Sequence, residues 1–269
     1  MELEILSRLP KGPARPVNLL FVHGICVGAW VWEEFFLPFF AERGYPTYAV
    51  SLRGHGKSQS SEPVTTSTVN DFTADVRRAM ATLEGPTVLI GHSFGGGVVQ
   101  NYLRRGGKAA GAVLMASVPP YGLAMASYRT LWRNPSLWME MAAAMFRGPS
   151  VMDFGLMRRM LFSGDIPDQR FRSFISRLGP LPMAASMEFM GWRPIAPWPW
   201  TIRDILVMGT NVDPFVPEAD VRLTASYYGV YPIILSDIGH AMMLDDRWQV
   251  AAEALLNWLD ERSSRLSDR

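Results

Sequence analysis

Short apolar runs alternate with helical patterns over residues 17–118 of this chain, and the alternation is the strongest constraint on its fold. Each run is apolar throughout, which is typical of strands that are buried on both faces of a parallel sheet. Apolar residues at helical spacing between the runs predict helices that cover those faces. The predicted strands are residues 17–22, 45–50, 86–90 and 111–116, and the predicted helices are residues 29–42, 71–83 and 96–103.

The pattern stops at Pro119 and resumes near residue 201. The segment between contains ten of the sixteen methionines and ten of the twenty prolines, so it differs in composition from the rest. Prolines interrupt helices and methionine fills irregular apolar shapes, which together indicate short helices that form an inserted cap. We expect a core of residues 1–118 and 201–269, with the cap at 119–200.

The last predicted strands are 203–209 and 230–235, and the last predicted helices are 218–228 and 246–262.

Composition excludes several classes of function. The net charge is +1, and the basic residues are scattered, so no nucleic-acid partner is expected. No apolar run approaches the ~20 residues that span a bilayer, so no stable membrane insertion is expected. The single cysteine, Cys26, excludes an internal disulfide, and we expect a cytoplasmic protein whose oligomeric state, a homodimer included, stays open. Motifs for metal or phosphate binding are missing, so neither a metal nor a cofactor is expected.

A G-x-S-x-G motif at residues 91–95 lies between a predicted strand and a predicted helix. In that position the serine sits on a tight turn, and the flanking glycines let neighbouring backbone approach closely. The helix behind it directs free N–H groups towards any oxyanion formed there. The motif therefore predicts Ser93 as a nucleophile. A serine hydroxyl needs a base, and the base needs an acid that orients it.

His240 is the predicted base, because it follows the last predicted strand in a loop that can reach the serine. His92 adjoins Ser93, and its side chain is expected to diverge from that of the serine. Asp213 is the predicted acid, since it is the one carboxylate in a proline-stiffened loop directly after a strand. Asp237 and Asp245 are weaker candidates, because they are close to the histidine in the chain.

Two backbone N–H groups are needed to hold an oxyanion. One is expected from Phe94, the residue after the nucleophile, and the other from Ile25 in the loop after the first apolar strand. Cys26 in the same loop is expected to be structural. A small apolar acyl compound is the expected partner, and the expected lining of its pocket is Trp30, Met125, Trp132, Met145 and Phe215.

These residues resemble the α/β-hydrolase superfamily, in its cap-containing serine esterase branch. The resemblance rests on His23-Gly24, the 91–95 motif, Asp213 and Gly239-His240, in the family order Ser, Asp, His. It implies an α/β fold, with a mostly parallel sheet, helices on both faces and an inserted helical cap. It also implies an oxyanion hole beside the triad.

Within the superfamily, a serine nucleophile is unlike the aspartate of epoxide hydrolases and haloalkane dehalogenases. Residues 23–30 are similar to the corresponding segment of hydroxynitrile lyases and their esterase relatives. The lyases carry a threonine at the position of Gly24 and a lysine at that of Ala241, so both departures favour the esterases. The resemblance implies a carboxylesterase that acts through an acyl-enzyme. Several other functions stay open. On the same fold they are a carbon–carbon bond hydrolase, a lactonase, a thioesterase, a perhydrolase and a non-catalytic ligand-binding protein. A lipase that docks residues 137–146 on lipid also stays open.

Overall fold

A seven-stranded β-sheet forms the centre of the computed structural model, which describes residues 1–147, 153–164, 166–191 and 194–267. The strands follow the order β1-β3-β2-β4-β5-β6-β7 across the sheet. Every residue of β4, β5 and β6 is buried, so both faces of the sheet are covered. The strands are β1 (Ile5–Arg8), β2 (Asn18–Val22), β3 (Thr47–Val50), β4 (Thr87–His92), β5 (Gly111–Met115), β6 (Ile205–Thr210) and β7 (Ile233–Leu235).

Strands β2 to β7 pair in parallel, as the apolar runs predict, and each begins or ends within three residues of its predicted bounds. Strand β1 was not predicted, and it pairs antiparallel to β3 at the edge of the sheet. Its four residues are half-buried or exposed, so it lacks the apolar run that marks the inner strands. The parallel register aligns Val22 with Gly91 and His92 with Met115, which brings three strand ends to one edge.

Helices α1 (Phe36–Glu42) and α10 (Trp248–Glu261) pack against each other, and α2 (Val69–Ala81) packs against α3 (Phe94–Arg104). Helix α9 (Glu218–Tyr228) packs on β6, and α11 (Ser263–Ser267) follows α10. These helices form the layers around the sheet.

The prediction of one helix over residues 29–42 is wrong. The chain forms a 3₁₀ turn at Ala29–Trp32, bends, and then begins α1 at Phe36. All four residues of the turn are buried. In an amphipathic surface helix, four consecutive residues go once round the axis, so at least one of them would face solvent. The bend places both Trp32 and Phe36 against Phe21, with ring centroids 4.9 and 6.1 Å away.

Five described helices lie in the chain between β5 and β6, in the segment predicted to contain short helices. Proline marks three of their beginnings: α5 starts at Pro135, α7 follows Pro167 and α8 follows Pro182. Arg129 of this segment pairs with the buried Asp220 of α9, which ties the segment to the core. The helices are α4 (Ala124–Arg133), α5 (Pro135–Arg147), α6 (Phe154–Leu161), α7 (Asp168–Ser176) and α8 (Met183–Met190). Among the described residues, none of the helices is both long and apolar enough to cross a membrane.

Candidate active site

Ser93 occupies the turn between β4 and α3 with a backbone φ of 52° and ψ of −119°. A residue other than glycine in such a conformation costs of order 1–3 kcal/mol, so the surrounding structure must hold it there. The Ser93 N–H donates to the carbonyl oxygen of Met115 at 2.9 Å, and the Ser93 carbonyl accepts from the N–H of Val118 at 3.1 Å. The end of β5 and the residues after it therefore fix the strained turn.

Two glycines of the motif make this turn sterically feasible. A side chain at Gly91 would place its Cβ 2.6 Å from the Cα of Gly96, and one at Gly95 would clash with the carbonyl oxygen of His23. The N-terminus of α3 therefore approaches the ends of both β2 and β4 closely. The reason for glycine here is close approach of backbone to backbone, since neither residue has a positive φ.

His240 joins Ser93 to Asp213 through two hydrogen bonds. Its Nε2 lies 3.0 Å from the Ser93 Oγ, and its Nδ1 lies 2.6 Å from Oδ2 of Asp213. In the neutral ring, Nδ1–H donates to the carboxylate and Nε2 accepts from the hydroxyl. The other Asp213 oxygen accepts from the N–H groups of Phe215 and Val216 at 2.8 and 3.1 Å. The structure thus brings the three predicted side chains into one hydrogen-bonded chain, and Ser93 and His240 of that chain line a cavity.

The N–H groups of Phe94 and Ile25 are the two predicted oxyanion donors. Phe94 is the first residue of α3, and in the described part of the chain neither N–H has a protein acceptor. Both residues line the cavity that contains Ser93. Cys26, next to Ile25, has a φ of 58°, so the loop turns sharply at this point. The role of both N–H groups as oxyanion donors stays a prediction.

The cavity above Ser93 has a volume of about 270 Å³ and is lined mainly by apolar side chains. Strand-end loops contribute Val118, Phe215 and Met243, while helices α6 to α8 and the segments between them contribute the opposite wall. That wall comprises Met157, Leu161, Phe174, Leu178, Leu181, Phe189 and Met190, with Ser186 as its polar member. Such a lining suits an apolar group attached to the reacting atoms.

Of the predicted pocket residues, the structure places Phe215 on this cavity, with its ring 4.8 Å from that of His240. Met125 and Trp132 do not line it, because they share the outer stripe of α4 and are 37% and 69% exposed. Trp30 lines a second, neighbouring pocket instead. The predicted pocket residue Met145 belongs to residues 137–146, the run that the lipase alternative would dock on lipid, and its side chain lies outside the described part of the structure.

His92, which precedes Ser93, has a hydrogen-bond partner that the sequence did not indicate. Its Nε2–H donates to the backbone carbonyl of His240 at 2.9 Å. Burial, and then the nearby His240, lower the pKa of His92 well below its usual range, so the ring is neutral. Its other nitrogen faces Gly24, where a Cβ would lie only 2.9 Å away. His92 therefore supports the backbone that carries His240.

Asp245 is a second supporting residue that sequence reasoning undervalued. Its fully buried carboxylate accepts from the N–H and hydroxyl of Ser163, at 2.8 and 2.9 Å. It also accepts from the N–H of Gly239 at 3.0 Å and from that of Arg247 at 3.1 Å. The residue thus connects the loop of His240 to the segment after α6. The sequence offers a weak signal for this residue, an aspartate that directly follows the apolar residues 241–244.

Cys26 is buried at the edge of the site, and burial raises the pKa of its thiol to about 12. The thiol is therefore protonated at neutral pH and is a poor nucleophile. Among the described residues, no three His, Cys, Asp or Glu side chains are grouped so that they could hold a metal ion.

Comparison with known proteins identifies the family. A sequence profile of the alpha/beta hydrolase family matches residues 19–254. The chain belongs to the alpha/beta hydrolase family. The match spans strands β2 to β7 from Leu19 onwards, the Ser93 turn and the loops of Asp213 and His240, so the predicted fold class is confirmed.

The curated relatives match a smaller part of the chain, whereas the solved structures superpose over nearly all of it. The non-heme chloroperoxidase of Streptomyces lividans is 38% identical over 112 residues, which is 40% of this chain and 40% of that protein. The esterase EaEST of Exiguobacterium antarcticum superposes with a TM-score of 0.73 at 17% identity, over 96% of this chain and 95% of the esterase. A bromoperoxidase of Bacillus anthracis gives a TM-score of 0.69 at 18% identity, over 96% and 95% of the two chains. At such identities the structural likenesses establish the shared fold.

Proposed function

We propose that this alpha/beta hydrolase is a serine carboxylesterase that cleaves small apolar esters. The observation that carries the proposal is the hydrogen-bonded chain from Asp213 through His240 to Ser93, which opens into an apolar cavity. A hydroxyl aligned with an imidazole, and an imidazole oriented by a buried carboxylate, are the components of acyl transfer through a covalent intermediate.

In the proposed reaction, the Ser93 Oγ attacks the ester carbonyl carbon while His240 Nε2 takes the hydroxyl proton. The carbonyl oxygen becomes an oxyanion, which accepts hydrogen bonds from the N–H groups of Phe94 and Ile25. His240 then gives its proton to the leaving alkoxide, which departs as the alcohol and leaves an acyl-enzyme on Ser93. Water attacks the acyl carbon with His240 again as base, and the acid is released as the serine regains its proton.

The electrostatic part of the mechanism depends on the position of the two backbone donors. Each such donor typically contributes a factor of about 10²–10³ to the rate, because it is already oriented before charge develops. Asp213 stabilises the imidazolium formed in both steps and fixes the tautomer in which Nε2 is free to accept.

We also propose that residues 119–200 act as the cap of this site, above a core of residues 1–118 and 201–269. Helices α6 to α8 and the segments between them supply one wall of the cavity, and the loops at the carboxyl ends of the strands supply the other. An acyl group bound between them would be largely shielded from water.

A second candidate is a perhydrolase, which the names of the haloperoxidase relatives favour. In that reaction hydrogen peroxide replaces water as the attacker of the acyl-enzyme, and the product is a peracid. The first half of the mechanism and its residues are unchanged. Peracid formation from an ester and hydrogen peroxide would favour this reading over simple hydrolysis.

The test compares the wild type, Ser93→Ala and Ser186→Ala on p-nitrophenyl esters from acetate to laurate. Ser186 is the matched control, because it lines the same cavity and donates its hydroxyl to the Pro182 carbonyl at 2.8 Å. We expect Ser93→Ala to lower kcat by about 10⁴–10⁶-fold and Ser186→Ala to retain activity within about threefold. An inactive but folded wild type would favour carbon–carbon, lactone or thioester substrates, or ligand binding without catalysis.

A further inference from the structure

A second pocket of about 310 Å³ lies beside the cavity of Ser93 and has no part in the proposed reaction. It is formed where α7 packs over the 3₁₀ turn at Ala29–Trp32 and the segment after α6. Its inner surface is apolar and comprises Trp30, Phe162, Ile166, Phe174 and Leu244. Its volume is at the lower end of the range for ligand pockets.

Phe174 and Leu244 line both the second pocket and the cavity of Ser93. A side chain that lines two cavities forms the partition between them. Phe174 is the larger of the two, and it is held in place by edge-to-face contacts with Trp30 and Phe162, whose ring centroids are 5.7 and 5.8 Å away. Only 8% of it is exposed. One aromatic ring therefore closes much of the passage.

The outer rim of the second pocket is charged, in contrast to its inner surface. Arg170 pairs with Glu34 at 3.6 Å, and the guanidinium of Arg177 stacks over Trp30 at 4.2 Å. The rim therefore faces water, while the inner end adjoins the apolar cavity of Ser93. A shape of this kind suits the distal part of a long apolar chain, with its far end near solvent.

We propose that Phe174 sets the upper limit of substrate chain length, by closing the Ser93 cavity against a second pocket that can take the distal part of a long acyl chain. This inference rests on the proposed esterase function. Reducing the side chain at position 174 joins the two spaces, so the added methylenes of a longer chain become buried. Each methylene that is newly buried favours binding by about fourfold.

The experiment compares Phe174→Ala with Phe171→Ala. Phe171 is the matched control, because it lies one helical turn earlier in α7, is 4% exposed and lines neither pocket. Values of kcat/KM are measured for p-nitrophenyl butyrate, octanoate and laurate. We expect the ratio of laurate to butyrate to rise at least about tenfold in Phe174→Ala and to stay within about twofold of the wild type in Phe171→Ala.

Equal profiles for the two variants on an active enzyme would overturn the inference and leave the esterase function intact. Phe174→Leu, which keeps an apolar side chain in place, gives the same comparison if the alanine variant does not fold. Calorimetric binding of dodecanoate provides a readout that is independent of catalysis. If no ester is hydrolysed but dodecanoate binds at least about tenfold more tightly to Phe174→Ala alone, the pocket assignment stands and the esterase function fails.

Discussion

Replacement of Asp245 by asparagine is expected to damage both stability and catalysis, although Asp245 touches none of the reacting atoms. Asparagine has the same shape, but one carboxylate oxygen becomes an NH₂ group. Oδ2 accepts from the N–H groups of Ser163 and Gly239, and Oδ1 accepts from that of Arg247. One orientation of the amide leaves the buried N–H of Gly239 facing another donor, and the other orientation leaves the partly buried N–H of Arg247 facing one.

The magnitude follows from the number of bonds affected. A buried donor without an acceptor costs about 1–3 kcal/mol, a partly buried one costs less, and in both orientations the remaining bonds lose the strength that a charged acceptor gives them. We expect the free energy of unfolding to fall by about 2–4 kcal/mol. Because the Gly239 N–H adjoins His240, a shift of the loop by about 1 Å would lower kcat/KM by up to about 100-fold.

Urea unfolding and esterase kinetics test this prediction, with Asp237→Asn as the control. Asp237 is on the same loop, but its side chain is 70% exposed, and its φ of 55° is one that asparagine tolerates. We expect the control to change the free energy of unfolding by less than about 0.5 kcal/mol. If Asp245→Asn were as stable and active as Asp237→Asn, the argument that Asp245 positions His240 would be refuted.

Two further predictions concern buried titratable groups. Burial, followed by the nearby His55, lowers the pKa of His23 to about 3, whereas the unfolded value is 6.5. Between pH 3 and pH 6.5 the His23 imidazole therefore binds a proton in the unfolded chain but not in the folded one. The contribution of neutral His23 to stability is complete above pH 6.5. It is lost as the pH falls towards 3, by about 1.4 kcal/mol in the free energy of unfolding per pH unit. Urea unfolding from pH 4.5 to 7 should show a shallower pH dependence for His23→Asn than for the wild type; equal slopes would contradict the assignment. Because burial raises the pKa of Cys26 to about 12, a thiol reagent at pH 8 should label it only after unfolding, and rapid labelling of the folded protein would show that the thiol is accessible and ionised.

The sheet and the Ser93–His240–Asp213 chain were accessible from the sequence because their signals are local. A buried parallel strand is recognisable as a continuous apolar run. The loop that follows such a strand in the chain lies at the carboxyl edge of the sheet, so its position in the sequence is enough to assign it to the site. Asp213 and His240 each follow such a strand, so their approach to Ser93 follows from the parallel topology.

The supporting residues were not accessible in this way, because their partners are distant in sequence. His92 contacts the His240 carbonyl across 148 residues, and Asp245 contacts Ser163 across 82. Strand β1 was missed because its residues are not a buried run. Met125 and Trp132 were misplaced because composition does not reveal that both lie on the exposed side of α4, away from the cavity.

The proposed function requires that Ser93 is a nucleophile activated by His240. Intact-mass spectrometry after incubation with an alkyl fluorophosphonate tests it most directly, because the probe stays bonded to the attacking atom. We expect one adduct per wild-type chain, mapped to Ser93 by peptide analysis, no adduct on Ser93→Ala, and labelling slowed at least about 100-fold in His240→Asn. An adduct on another residue, or labelling of folded Ser93→Ala at the wild-type rate, would contradict it.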